Sequence, residues 1–89
     1  MSLFKKLFGG SEPSEPAVEN YLGYRITAEP KREGSDYRIA ARIEKDVDGE
    51  TRIHSLIRAD TIGDLEAAEA ASIAKAKQMI DQQGDAIFR

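Results

Sequence analysis

The sequence predicts an α+β fold: a three-stranded antiparallel sheet, one C-terminal helix packed on one face of it (β-β-β-α), and a disordered N-terminal tail. Three observations support this prediction. Apolar and polar residues alternate over 21–30 and again over 36–45, which is typical of strands with one buried face. Asp48-Gly49 is a hairpin signal, and the apolar spacing becomes helical over 64–83.

Length and composition exclude several classes of function. The chain has 89 residues, which suffices for one small domain. It carries 16 acidic and 13 basic residues, for a net charge of -3, whereas proteins that bind nucleic acid through bulk charge are usually basic. It has no cysteine and one histidine, so we expect no disulfide, no thiol nucleophile, no metal site and no cofactor. We therefore predict a small cytoplasmic protein that is not an enzyme.

Residues 1–20 are interpreted as a flexible tail and linker, and residues 21–89 as the single folded domain. As a helix, residues 1–10 would be cationic and amphipathic, with four apolar residues on one face: Leu3, Phe4, Leu7 and Phe8. A weak membrane or partner contact is the functional interpretation, and a frayed tail is the alternative. The repeated Ser-Glu-Pro of residues 11–16 predicts a linker that does not order itself.

The two alternating segments each predict one strand. In the first, four residues are expected to share the buried face: Leu22, Tyr24, Ile26 and Ala28. Pro30 ends this strand, since proline cannot donate to a ladder, and 31–35 is predicted to be a polar turn. In the second, four residues are expected to point to the core: Tyr37, Ile39, Ala41 and Ile43.

The loop at Asp48-Gly49 decides how the second strand pairs with a third. A two-residue turn would set Ile43 opposite His54, whereas a three-residue loop with Gly49 in a G1 bulge would set Ile43 opposite Ile53. A shift of one residue turns a whole strand over, so only one register holds. We favour the three-residue loop. In its register Ile39 lies opposite Ile57 rather than opposite Arg58, and Glu44 lies opposite Arg52. The same register sets Arg38 opposite Arg58 and places the Leu56 side chain outside the core.

The helix prediction depends on one apolar stripe and on its end signals. The stripe contains eight residues: Leu65, Ala68, Ser72, Ile73, Ala76, Met79, Ile80 and Gln83. Gly63 or Asp64 is expected to cap the start, and Gly84 to follow the end. Ile87 and Phe88 are then expected to fold back onto the core.

Two features resemble reactive sites, but the predicted structure explains them better. Residues 44–49 carry acids at alternate positions before a glycine, like the first half of a calcium-binding EF-hand loop. The position that requires a bidentate glutamate is Ser55, so we interpret this segment as a hairpin tip. His54 has no cysteine or second histidine to join it, and we interpret it as a strand-surface residue. We therefore predict no catalytic residue.

The face of the sheet away from the helix is the remaining candidate site. Five arginines are predicted to point that way and to contact nucleic acid: Arg25, Arg38, Arg42, Arg52 and Arg58. The alternative is a solvated face with cross-strand ion pairs, and the eight basic and eight acidic residues of 21–60 favour it. Because so small a core is marginal, a homodimer through the open sheet edge is also expected. If the protein acts through a partner protein instead of DNA, the docking surface would be either this edge or an exposed patch of Leu56 and Ala40.

Several segments resemble the small bacterial HlyU-like family, described as transcriptional activators of haemolysin expression. The segments are Met-Ser-Leu-Phe at residues 1–4, Leu-Phe-Gly-Gly at 7–10, Tyr-Arg-Ile at 24–26, Tyr-Arg-Ile-Ala at 37–40, Arg-Ile-Glu-Lys at 42–45, Asp-Gly-Glu-Thr at 48–51, Ile-Arg-Ala-Asp-Thr at 57–61 and Ala-Lys-Ala-Lys-Gln-Met-Ile-Asp at 74–81. The resemblance covers almost the whole chain. It implies a transcriptional regulator that acts weakly on DNA or through a regulatory protein, and it assigns no site residue.

Overall fold

The computed structural model describes residues 17–88 of the chain. They form five strands, one α-helix and a 3₁₀ helix, in this order: β1 (Val18–Tyr21), β2 (Tyr24–Ala28), β3 (Lys31–Glu33), β4 (Asp36–Val47), β5 (Glu50–Ile62), α1 (Leu65–Gln83) and the 3₁₀ helix (Gly84–Phe88). The α+β class and the C-terminal helix are confirmed, whereas the predicted count of three strands is wrong. The predicted amphipathic segment and the Ser-Glu-Pro linker lie outside the described residues.

The two strands that the sequence pattern missed are β1 and β3. Leu22 and Gly23, both with positive φ, form the tight turn between β1 and β2. The prediction that Leu22 faces the core is therefore wrong, and its side chain is exposed. The predicted polar turn over 31–35 contains β3, which pairs with the start of β4 through a turn at Gly34. Because every residue of β3 is charged, no apolar alternation marks it as a strand.

Every pairing in the sheet is antiparallel, and β4 is its central strand. β2 and β3 lie one after the other along one side of β4, opposite residues 41–44 and 36–38. β5 lies along the other side of β4, and β1 pairs with β2. The order across the sheet is therefore β1, then β2 with β3, then β4, then β5. Within the described residues, the outer side of β5 pairs with no strand.

The hairpin between β4 and β5 has a two-residue turn, so the predicted three-residue loop is wrong. Val47 lies opposite Glu50, and Ile43 lies opposite His54. Asp48 and Gly49 have φ angles of 53° and 82°. Positive φ at both central residues is typical of a type I′ turn, whose twist matches that of the flanking strands and which favours Asp-Gly. The twist match explains why the shorter turn is the one that forms.

This register corrects the other predictions about β5. Leu56 lies opposite Ala41 in the core and is 5% exposed, although it was expected to lie outside. The remaining expected pairs are also wrong: Glu44 lies opposite Ile53, Ala40 opposite Ile57, and Arg38 opposite Thr61. Between the last two pairs β5 contributes three residues and β4 one, so the ladder contains a bulge.

The helix α1 begins and ends where the sequence signals predict. The Asp64 carboxylate accepts a hydrogen bond of 2.8 Å from the Ala67 N–H, which caps the first turn. Gly84 follows the last turn with a φ of 55°, and its N–H donates to the Ile80 carbonyl. The middle of the predicted stripe is buried: Ala68, Ser72, Ile73, Ala76 and Ile80. Leu65 and Gln83, at the two ends of the stripe, are exposed instead.

The core lies between α1 and one face of the sheet. Its sheet side contains Tyr24, Ile26, Ala28, Ala41, Ile43 and Leu56. Ile87 of the 3₁₀ helix is buried in the same cluster, and the Phe88 ring stacks on Tyr24 with centroids 6.1 Å apart, which confirms the predicted fold-back. Ser72 is fully buried, and its hydroxyl is satisfied there because it accepts the Ala40 N–H at 3.1 Å and donates to the Ala68 carbonyl at 2.7 Å.

Two tyrosines connect the start of the sheet to the end of the helix. The Tyr21 hydroxyl donates to Asp81 at 2.8 Å, and the Tyr24 hydroxyl donates to Asp85. Lys45 completes the second contact: its Nζ lies 3.0 Å from the Asp85 carboxylate and 4.6 Å from the centre of the Tyr24 ring. These contacts hold the β1–β2 hairpin against the C-terminal end of α1 and against the 3₁₀ helix that follows it.

Tyr24 makes the stability of the fold sensitive to alkaline pH. Burial, with the hydrogen bond to Asp85, raises the pKa of Tyr24. The unfolded chain therefore loses this proton first, and the contribution of neutral Tyr24 is present below pH about 10 and lost as the pH rises above it. We expect Tyr24→Phe to cost about 0.5–1.5 kcal/mol at neutral pH, and this difference from the parent protein to shrink above pH about 10 in urea titrations. A difference that stays constant there would contradict the contact.

Candidate functional site

The face of the sheet opposite α1 is covered by no other element of residues 17–88. Side chains alternate along each strand, so the neighbours of the core residues point to this face. We call it the open face, and its members are Arg25 and Thr27 on β2, Arg38, Ala40, Arg42 and Glu44 on β4, and Ile53, Ser55 and Ile57 on β5. The sheet places these nine side chains on one surface with defined neighbours.

Two of the predicted arginines meet at the centre of the open face. Arg25 lies directly opposite Glu44, and its Nε is 3.2 Å from the Glu44 carboxylate. Arg42 lies 3.7 Å from the same carboxylate and 2.9 Å from that of Glu29. The four side chains form a row of alternating charge that is neutral as a whole. This is the cross-strand pairing that the sequence offers as the alternative to a nucleic-acid surface.

Arg38 is held more tightly, at the end of the sheet where β3 pairs with β4. Its guanidinium donates to both carboxylate oxygens of Glu33, at 2.5 and 2.7 Å, and to the Arg58 carbonyl at 3.1 Å. The hydrogen bond lowers the pKa of Glu33 and raises the pKa of Arg38. Such a bidentate pair fixes the orientation of the guanidinium and uses its donors.

The remaining two arginines lie on β5 and are held weakly. Arg52 is opposite Lys45, whose ammonium reaches the 3₁₀ helix, so alternation places Arg52 on the helix side of the sheet rather than on the open face. Its contact with Glu50 is 3.7 Å long. Arg58 is exposed and has no carboxylate partner among residues 17–88. The structure thus brings Arg25 and Arg42 together and leaves the other three apart.

Sequence patterns missed the most exposed apolar residues of the open face. Ile53 is 56% exposed and Ile57 is 60% exposed, and they flank Ser55 on β5. The predicted docking patch of Leu56 and Ala40 is wrong, because both residues are buried. The turn chemistry of Asp-Gly was the signal that could have found the two isoleucines, since a type I′ turn sets the register that exposes them.

A polar depression lies beside the open face. It has a volume of about 170 Å³ and is lined by Asn20, Gly23, Arg25, Glu44, Lys45 and Asp46. Three of its charged groups are engaged in ion pairs, Arg25 with Glu44 and Lys45 with Asp85, and Asp46 accepts a hydrogen bond from the Thr51 hydroxyl. No three acidic or histidine side chains of residues 17–88 are grouped so that they could hold a metal ion. In the same part of the chain, no helix has the length and apolar character needed to cross a membrane.

Comparison with known proteins identifies the family. The family described as transcriptional activator HlyU matches residues 2–88. The chain belongs to the HlyU family. The resemblance seen in the sequence is therefore confirmed over nearly the whole chain, including all five strands and the helix. No curated protein and no solved structure matches the chain.

Proposed function

We propose that this HlyU-family chain is a non-enzymatic, cytoplasmic regulator of transcription that acts mainly by contacting a protein. One observation carries the proposal: the arginines of the open face are paired with carboxylates of the same sheet, while two isoleucines beside them are exposed. Neutral ion-pair rows do not attract a polyanion, because its phosphates must compete with carboxylates already in contact. Exposed isoleucines beside such a row are typical of a protein-contact surface.

Direct contact with DNA is the second candidate function, through the same five arginines: Arg25, Arg38, Arg42, Arg52 and Arg58. Arg58 favours it, since this exposed side chain has no carboxylate partner among the described residues. Arg52 is also weakly paired, since its guanidinium has a single carboxylate contact, with Glu50 at 3.7 Å. Binding through these groups would be weak and largely independent of sequence, because phosphate contacts carry no base information.

A salt titration on random duplex DNA separates the two functions. For the protein-contact function we expect no binding near physiological salt, and equal weak retention of the parent, Arg42→Gln and Arg58→Gln proteins at low salt. For direct DNA contact, the logarithm of affinity would fall steeply with the logarithm of salt, and each arginine variant would reduce that slope by about 1. A steep slope that both substitutions reduce would overturn the protein-contact function.

A transcription measurement in the host cell tests the protein-contact function positively. We expect the Ile53→Lys/Ile57→Lys variant to lose regulation of its target transcripts, and Arg42→Gln to keep it. Val18→Lys is the matched control, because Val18 is 55% exposed, close to the 56% of Ile53, but lies on the opposite edge strand β1. The opposite pattern, with regulation lost in Arg42→Gln and kept in the isoleucine variant, would favour DNA contact.

A separate proposal concerns the N-terminal tail. A weak contact of Leu3, Phe4, Leu7 and Phe8 with a membrane or a partner is proposed from the sequence alone, since these residues lie outside the described part of the chain.

A further inference from the structure

The outer side of β5 is an unusual edge for a monomer. β5 is the longest strand, with 13 residues, and within residues 17–88 it pairs only with β4. Soluble proteins usually shorten or cover their edge strands, because unpaired N–H and C=O groups attract another strand. We infer that β5 pairs with β5 of a second copy of this chain, antiparallel and centred on Ser55. This association deepens the proposed function, because it names a second copy of the chain as one protein that the exposed isoleucines contact. Association is measured by mass and the proposed function by transcription, so either can fail without the other.

The main chain of β5 is oriented for such pairing. In a two-residue hairpin, the residues that flank the turn form a hydrogen-bonded pair, here Val47 and Glu50. Even-numbered residues of β5 near the turn therefore direct N–H and C=O to β4, and odd-numbered residues 51–57 direct theirs to the free edge. The main-chain groups of β4 alternate in the same way: the Ala40 carbonyl points away from β5 and accepts the Glu29 N–H at 2.8 Å.

The side chains of the same odd-numbered residues are arranged symmetrically. Ile53 and Ile57 lie at equal distances along the strand on either side of Ser55, and all three point to the open face. An antiparallel pair with Ser55 opposite Ser55 of the second copy places Ile53 opposite Ile57 of the second copy, and the converse. A twofold interface requires this self-complementarity. Pairing brings the four exposed isoleucines of the two copies into one apolar patch. For this reason we assign the edge to a second copy of the chain rather than to another partner.

Charge along β5 is compatible with the same register because opposite charges meet at diagonal positions. On the helix side of the sheet, Arg52 would lie opposite Arg58 of the second copy, and Glu50 opposite Asp60 of the second copy; each of these like-charged pairs alone would be repulsive. Each arginine, however, has an acid at the diagonal position: Asp60 of the second copy for Arg52, and Glu50 of the second copy for Arg58. Arg58 thereby gains a carboxylate partner, which it lacks among residues 17–88 of its own chain. The bulge that follows Ile57 limits the regular part of the new ladder to residues 53–57, so these charged residues flank the ladder at each end.

Sedimentation velocity of the full chain tests the dimer. We expect the mass of the parent protein to rise with concentration from 9.8 kDa towards twice that value. The Ile53→Lys/Ile57→Lys variant should weaken association by about tenfold or more, since four like charges would meet across the twofold axis. Mixing it with the Ile53→Glu/Ile57→Glu variant should restore a dimer made of one copy of each. Val18→Lys should associate like the parent protein.

The register is tested by disulfide cross-linking, which the absence of cysteine from the chain makes selective. Residues directly opposite in an antiparallel hydrogen-bonded pair have Cα atoms about 5.5 Å apart, within the range of a disulfide. We expect Ser55→Cys to form a covalent dimer with oxidised glutathione, and Thr51→Cys, on the same edge, to form far less.

Three results would overturn the inference. The first is a parent protein that stays at 9.8 kDa at every concentration reached. The second is a dimer that the isoleucine substitutions leave unchanged, or charge-swapped variants that fail to pair, because association would then use another surface. The third is nuclear Overhauser contacts from the methyl groups of Ile53 and Ile57 to Phe4 or Phe8 of the same chain, which would show that the tail occupies the patch.

Discussion

Replacing Ile43 with alanine is expected to lower the free energy of unfolding by about 2–5 kcal/mol, whereas the same replacement at Ile53 should change it by no more than about 0.5 kcal/mol. Ile43 has no exposed surface and lies in the core cluster, so truncation removes contacts and leaves a cavity. Ile53 is 56% exposed, and truncation there mainly uncovers surface that water already reaches. Urea denaturation at concentrations where the chain is monomeric measures both values.

The comparison is informative because the two substitutions delete the same atoms. In the register favoured by the sequence, Ile53 would lie opposite Ile43 and both would be buried, so equal losses of stability would contradict the two-residue turn. Gln78→Ala is a further control within the helix, on its exposed side, and should be nearly silent. Ile80→Ala, which removes a buried residue of α1, should match Ile43→Ala.

The elements with strong periodic patterns were predictable from the sequence. Alternation identified Ile26, Ala28, Ala41 and Ile43 as core residues, and the structure confirms all four. The helix was bounded correctly, since Asp64 and Gly84 carry cap preferences that do not depend on distant contacts. The fold-back of Ile87 and Phe88 was predictable because two apolar residues directly after a helix are stabilised when they pack on the core.

The parts that the sequence did not predict depend on competing local preferences or on partners in space. β3 consists of charged residues and forms because Gly34 permits a turn that brings it against β4. The register of β5 depended on whether Asp48 would adopt a positive φ, and no apolar pattern decides that. The pairing of Arg42 with Glu29 and Glu44 required knowing which strands are neighbours. For this reason the five arginines were predictable as candidates, but their ion-pair partners were not.

Leu56 and Ile57 are adjacent in the sequence, and lysine at each should have opposite consequences. We expect Leu56→Lys to unfold the domain or to cost more than about 4 kcal/mol, because the ammonium would enter a core that offers it no carboxylate partner. A small domain is at the low end of the usual stability of about 5–15 kcal/mol, so such a loss leaves about 1 kcal/mol or less, and a low concentration of urea then unfolds the domain. Leu56 is 5% exposed and packs in the core cluster with Ile43 and Ala41.

Ile57→Lys is the matched control, since Ile57 is 60% exposed and its side chain lies on the open face. At concentrations where the chain is monomeric, we expect this variant to unfold in urea within about 0.5 kcal/mol of the parent protein. Circular dichroism at low urea should then show α1 in Ile57→Lys and its loss in Leu56→Lys. If Leu56→Lys were folded and Ile57→Lys unfolded, the result would favour the three-residue loop over the two-residue turn. Only a shift of β5 by one residue exchanges the faces on which these two side chains lie.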